Sequence, residues 1–129
     1  MWRYGQNTGN MYRPDGTLAG TGYAGGHQGT RPEGINNHDM QNVKSVGPLP
    51  VGMYTFGTPI AHSQLGPFAI PLIPDDDNEM FGRGDFFEHG DTLAMNHSAS
   101  DGCIIQSRAV RDECHASPDQ RLQVFVEEV

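Results

Sequence analysis

A cysteine and a histidine carry the clearest chemical signal in this sequence. Cys103 ends the run Ser98-Ala99-Ser100-Asp101-Gly102-Cys103, and His89-Gly90-Asp91 precedes that run by a short stretch of chain. A free thiol is mostly protonated at neutral pH, so a nucleophilic cysteine needs an imidazole within hydrogen-bond reach to take its proton. The pattern therefore predicts that Cys103 is a nucleophile and that His89, also at the end of a short strand, is its general base.

The residues around Cys103 suit attack on a carbonyl group. Gly102 has no side chain, so a substrate can approach closely, and the backbone amides of Gly102 and Cys103 are predicted oxyanion donors. Ser100 is either a turn former or a substrate contact, and Asp91 is a second candidate for a supporting role. Asp101 brings a negative charge beside the thiol, which we expect to raise the thiol pKa unless His89 is cationic or the carboxylate points away.

Two other readings of this region stay open. His89, Asp91, His97 and Cys103 carry ligand types that zinc accepts, although no His-x-His or His-Glu-x-x-His spacing is present. A domain that binds cell wall, or a structural part of a phage or secretion system, needs no catalysis. Papain-like peptidases are disfavoured because they place the cysteine before the histidine, and here His89 comes first.

Two further motifs match functional patterns weakly. The glycine spacing of a dinucleotide-binding loop occurs in Gly20-Thr21-Gly22-Tyr23-Ala24-Gly25, but no helical pattern follows it. Asp75-Asp76-Asp77-Asn78-Glu79 resembles the start of a calcium loop, yet Met80 and Phe86 stand where glycine and glutamate are required. We interpret the second motif as a solvated acidic turn, and we expect neither a cofactor nor a metal.

Length and composition predict one mainly β domain over residues 1–129. Hydrophobic residues make up 36% of the chain, and its 17 glycines and 9 prolines suit short strands joined by turns.

The net charge of −8, with scattered basic residues, argues against nucleic acid as a partner. No apolar run approaches the ~18 residues of a membrane span, and the first residues lack the pattern of a secretory signal. Both cysteines are expected to be thiols, with Cys114 in packing.

The elements that must position the site follow from local patterns. A hairpin is expected over residues 2–24 around Pro14-Asp15-Gly16, followed by a long loop over residues 25–42 that borders the site. Strands are predicted at residues 53–56, 86–89, 103–105 and 122–126, and a proline-broken edge segment at residues 66–74. Ser107 should cap a short helix over residues 108–114.

With these residues in place, the chain resembles the L,D-transpeptidase catalytic domain (YkuD-like) family, and within it the type VI secretion L,D-transpeptidase effectors. The family signature is His-Gly followed by Ser/Thr-x-Gly-Cys, which His89-Gly90 and Ser100-Asp101-Gly102-Cys103 match. Further matching segments are Trp2-x-Tyr4, Gly22-Tyr23-Ala24-Gly25, Gly47-Pro48-Leu49-Pro50, Gly66-Pro67 and Arg108-x-x-Arg111. Many cell-wall members have His at the position of Asp101 and Arg at that of Ile105, so substrate contacts by those side chains do not carry over.

The resemblance implies a β-sandwich or barrel with one short helix after the catalytic cysteine. It implies attack on peptidoglycan tetrapeptide stems at the bond between diaminopimelate and D-alanine, followed by hydrolysis, D-amino-acid exchange or cross-linking. It also implies an antibacterial toxin that is made in the cytoplasm, delivered by a secretion apparatus to the periplasm of a target cell, and matched by an immunity protein.

Overall fold

The computed structural model describes residues 1–91 and 100–129, and these residues form a mainly β structure with one α-helix. The mainly β prediction and the helix after Cys103 are confirmed. The strands are β1 (Trp2–Gly5), β2 (Asn10–Tyr12), β3 (Leu18–Thr21), β4 (Tyr23–Ala24), β5 (Gly52–Phe56), β6 (Ile60–His62), β7 (Gly66–Pro74), β8 (Phe87–His89), β9 (Ile104–Ile105) and β10 (Arg121–Phe125), and the helix is α1 (Arg108–Ala116).

The strands form one continuous hydrogen-bonded path in the order β3-β2-β1-β10-β5-β7-β8-β9-β4, with β6 added beside β7. Only two of the strand pairs in the described residues are parallel, namely β1 with β10 and β8 with β9. The two candidate catalytic residues lie at the parallel pair β8–β9. His89 is the last residue of β8, and Cys103 is the residue directly before β9.

The first hairpin differs from its prediction. Residues 2–12 do not form one arm, because a turn intervenes in which the Gly9 amide donates to the Gly5 carbonyl at 2.8 Å. Gly9 has φ +80°, a left-handed conformation that glycine adopts without steric cost. The predicted turn at Pro14-Asp15-Gly16 therefore joins only β2 and β3.

The prediction that residues 66–74 form an edge or irregular segment is wrong. β7 is a nine-residue interior strand that pairs with β6 near its start, with β8 at Ile70 and Pro71, and with β5 from Leu72 onward. Its prolines are tolerated because their carbonyls still accept hydrogen bonds, as Pro71 O does from the Gly57 amide at 2.7 Å. Leu72, the residue after Pro71, supplies a donor, since its amide bonds to the Phe86 carbonyl oxygen at 2.9 Å.

One buried cluster unites the strands and the helix. It contains aromatic and aliphatic residues from the β1–β10–β5 region and from the β7–β8–β9 region, and Cys103 packs at its margin. Val110 and Cys114 join it from one face of α1, so Cys114 has the packing role that was predicted. The Ser107 side chain caps α1 by accepting from the Val110 amide at 3.2 Å, as predicted. In the described part of the chain, no helix has the length and apolar character needed to cross a membrane.

The predicted loop over residues 25–42 contains two short 3-10 turns, at Pro32–Gly34 and His38–Met40. The predicted acidic turn at residues 75–79 is present between β7 and β8.

Candidate active site

The parallel pairing of β8 with β9 puts His89 and Cys103 on one face of the sheet. Glu88 is opposite Ile104 and His89 is opposite Ile105, so Phe87 faces Cys103 across the strands. Because side chains alternate between the faces of a sheet, His89 is the diagonal neighbour of Cys103. Both residues line a groove of about 940 Å³.

The His89 imidazole is held in one tautomer. Its Nδ1 is 2.9 Å from the Gly90 carbonyl oxygen, and because a carbonyl only accepts, Nδ1 must carry the proton. Nε2 then holds a lone pair, and it has no hydrogen-bond partner among the described residues. Burial, first of all, and the positive charge of Arg111 lower the pKa of His89, so the ring is neutral at pH 7. A neutral imidazole with an unoccupied Nε2 is suited to accept a proton.

The Cys103 thiol is half-buried and is protonated at rest. Burial, the largest cause, together with the negative charge of Asp101, raises its pKa to about 11, against the lowering effects of the Phe87 amide and Arg83. The Phe87 amide donates to Sγ at 3.4 Å. The thiol of Cys103 and the imidazole of His89 are thus both uncharged at rest, so a thiolate would form only if the thiol proton were transferred.

Ser100 organises the turn that leads into Cys103. Its buried Oγ accepts from the Gly25 amide and from the Gly102 amide, each at 2.9 Å, and donates to the Cys103 carbonyl at 2.7 Å. Ser100 therefore acts within the turn in this structure. The same contact occupies the Gly102 amide, one of the two predicted oxyanion donors, whereas the role of the Cys103 amide stays a prediction.

Gly102 is required for steric reasons. Its φ is +143°, and a Cβ there would lie 2.6 Å from Arg83 Nη2 and 2.9 Å from the Phe86 ring. Arg83 is itself buried and donates to the carbonyls of Gly47 and Pro48, at 2.9 and 2.8 Å, and to that of Asp101 at 3.3 Å. This guanidinium fastens the Cys103 turn to the segment before β5.

Sequence reasoning missed Arg83. The only local signal is a single arginine between Gly82 and Gly84, which does not separate a buried cation from a solvated one.

The two predicted aspartates, Asp91 and Asp101, both line the groove. Asp91 accepts a hydrogen bond from the Tyr23 hydroxyl at 2.7 Å. Asp101 accepts from Gln28 Nε2 at 3.1 Å and lies 3.3 Å from His27 Nδ1, so its carboxylate turns toward the loop over residues 25–42. Through Gln28 that loop lines the groove, as predicted.

Arg111 lines the groove from α1. Nε donates to Gln106 O at 3.2 Å and Nη1 to Phe68 O at 2.7 Å. A Cβ at position 90 would lie 2.9 Å from Nη2, so Gly90 allows the guanidinium to approach His89. The sequence indicated Arg111 only as part of a family motif, without a role.

The zinc hypothesis involved residues that the structure only partly describes. His97, Ser98 and Ala99 lie outside residues 1–91 and 100–129. Within those two ranges, no group of three His, Cys, Asp or Glu residues is arranged to hold a metal ion.

Comparison with known protein families identifies the family of this chain. The family model "Tlde1 domain" matches residues 22–123, which include β8, His89, Cys103 and α1. Comparisons with curated proteins and with solved structures gave no match. A secretion apparatus and an immunity protein are partners compatible with an effector family of this kind. Since the match covers well over half of its length, the chain belongs to the Tlde1 domain family of type VI secretion effectors.

Proposed function

We propose that this effector is a cysteine-dependent enzyme with an L,D-transpeptidase-like fold that cleaves peptidoglycan tetrapeptide stems at the bond between diaminopimelate and D-alanine. The observation that carries the proposal is that Cys103 and a neutral, buried His89, whose Nε2 is unpartnered in the described residues, line the same groove. The resemblance of the His89-Gly90 and Ser100-to-Cys103 motifs to L,D-transpeptidases supplies the substrate class.

Acylation uses both residues. His89 Nε2 takes the thiol proton as Cys103 Sγ bonds to the carbonyl carbon of the L-centre of diaminopimelate, which gives a tetrahedral oxyanion. His89 then gives that proton to the amine of D-alanine as the C–N bond breaks. The products of this step are a thioester on Cys103 and free D-alanine.

The thioester has two fates. Attack by water, with His89 again accepting a proton, releases a tripeptide acid and restores the thiol, which is L,D-carboxypeptidase action. Attack by the amine of a D-amino acid or of a second stem gives exchange or cross-linking. Either reaction in the periplasm of a target cell would damage its wall, consistent with an antibacterial toxin that needs a cognate immunity protein.

The groove suits a peptide. Its volume of about 940 Å³ lies near the upper end of the range of about 300–1,000 Å³ that is usual for ligand sites. Backbone groups, amides and carboxylates line it together with Leu65, Pro67 and Phe87, which offers both polar and apolar contacts to an extended chain.

The test is incubation of the protein with purified tetrapeptide muropeptides, followed by mass spectrometry. We expect loss of D-alanine with the wild type, no loss with Cys103→Ala, and retained cleavage with Cys114→Ala, which makes the same change at the buried thiol. Unchanged cleavage by Cys103→Ala would overturn the mechanism, and inhibition by a chelator would favour the zinc alternative. Binding of muropeptides without any cleavage would favour a cell-wall-binding domain.

A further inference from the structure

The guanidinium of Arg111 has one unused donor at the groove. Arg111 is only 8% exposed, and the carbonyls of Gln106 and Phe68 occupy Nε and Nη1. In the described part of the chain no hydrogen bond is found for Nη2, which lies against Gly90 at the groove wall. A buried charged group with a free donor at a cavity is an arrangement that favours a ligand acceptor.

The charge of Arg111 is also poorly neutralised. No carboxylate of residues 1–91 or 100–129 forms an ion pair with it. Glu88 is the buried acid that acts on it electrostatically, but burial raises the pKa of Glu88 to about 7, so that carboxyl is only partly ionised at neutral pH. Arg111 is, moreover, the only lysine or arginine among the described residues that line the groove. The groove therefore has one fixed position that attracts an anion.

The position of this cation relative to His89 indicates which anion. Gly90 is next to His89 in sequence, and His89 is the residue that protonates the departing amine in the proposed reaction. In a C-terminal residue, a single carbon atom separates that amine nitrogen from the terminal carboxylate. Resting on the proposed function, we infer that Arg111 binds the free C-terminal carboxylate of the stem peptide and so restricts cleavage to the last residue.

The test compares two tetrapeptide stems that differ only in a C-terminal carboxylate or carboxamide. Wild type is expected to cleave the acid with a kcat/KM about 10- to 100-fold higher than the amide, as for one charge-assisted hydrogen bond. In Arg111→Gln the ratio should fall to about 1, mainly through KM for the acid. Arg108→Gln, an exposed change on the same helix, should keep the wild-type ratio.

A second variant guards against misfolding of Arg111→Gln, because Arg111 also holds two backbone carbonyls. Gly90→Ala puts a methyl group 2.9 Å from Nη2, so the end of the Arg111 side chain must shift away from the groove wall. It should reduce the acid-to-amide ratio while the protein stays folded by circular dichroism. Equal cleavage of acid and amide by wild type, or discrimination that persists in both variants, overturns the inference.

Calorimetric binding of the same two peptides to Cys103→Ala separates this inference from the proposed function. Tighter binding of the acid, lost on adding Arg111→Gln, without cleavage by wild type, would sink the proposed reaction but support the carboxylate site. Cleavage by wild type with equal affinity and equal rate for both peptides would support the proposed reaction but overturn the carboxylate site.

Discussion

Ser100 Oγ accepts a hydrogen bond from the Gly102 amide and donates one to the Cys103 carbonyl, so one buried hydroxyl fixes the turn that leads into Cys103. It also accepts from the Gly25 amide, at the start of the loop that lines the groove. The position of the sulfur therefore depends on a side chain that need not touch the substrate.

Replacement of Ser100 by alanine should weaken both stability and catalysis. It leaves buried amides without their acceptor, and we expect a loss of about 1–3 kcal/mol in the free energy of unfolding. Because the turn before Cys103 loosens, kcat should fall more than KM changes. Urea denaturation and muropeptide kinetics measure these effects, with the exposed Ser63→Ala as a control that changes neither. A Ser100→Ala protein with wild-type stability and kcat would contradict this role.

The pH profile of acylation should report His89. The imidazole accepts the thiol proton only when it is neutral, and its folded pKa is below the ordinary 6.5. We therefore expect kcat/KM to stay level from pH 7 to pH 9 and to fall only in acid, below pH 6.5.

His89→Ala should lower kcat by about 10²- to 10⁴-fold, the usual contribution of a general base. The exposed His115→Gln serves as the control and should keep the wild-type profile. An acid limb that survives unchanged in His89→Ala would assign the titration to another group.

Thiol alkylation should show that Cys103 is accessible but not ionised at rest. With a pKa of about 11, its thiolate fraction rises about tenfold per pH unit between pH 7 and pH 10, and the iodoacetamide rate should follow. Cys114 is fully buried and should remain unlabelled in the native protein. Peptide mass spectrometry identifies the labelled residue, and Cys103→Ala should abolish native labelling. Fast labelling at pH 7 with no pH dependence would indicate a preformed thiolate instead.

The sequence predicted those parts of the molecule that local patterns determine. Gly84 and Gly90 bound the short run that marks β8, Gly102 precedes the apolar run that marks β9, and Ser107 marks the start of α1. The ends of strands at His89 and Cys103 were therefore predictable. The need of a nucleophilic thiol for a nearby imidazole added the expectation that these two residues meet, and the structure brings both to one groove.

The parts that the sequence did not predict depend on contacts between distant segments. Arg83 and Arg111 bind backbone carbonyls 35 or more residues away in several cases, and such contacts leave no local pattern. The prolines of β7 suggested an edge, because their missing donors are visible in a sequence whereas the partners that use their carbonyls are not.

Glu88, the buried neighbour of His89 in sequence, is expected to make the stability of the folded protein depend on pH. Its side chain is fully buried, with Cys114, Arg111 and Tyr4 as the groups that act on it, and Oε1 has no hydrogen-bond partner in the described residues. Burial is the main cause that raises the Glu88 pKa from the ordinary 4.5 to about 7. The folded state therefore holds this proton more tightly than the unfolded state does.

The resulting stabilisation is complete below pH 4.5 and is lost as the pH rises through 7, which amounts to about 3 kcal/mol by linkage. Glu88→Gln removes this titration, so the free energy of unfolding of the variant minus that of wild type should be larger at pH 8 than at pH 5. Urea denaturation at pH 5 and at pH 8 measures this difference. The exposed Glu79→Gln should show no such change. A difference between Glu88→Gln and wild type that is the same at pH 5 and pH 8 would mean that Glu88 is ionised in the folded protein throughout, and that Arg111 has a full counterion after all.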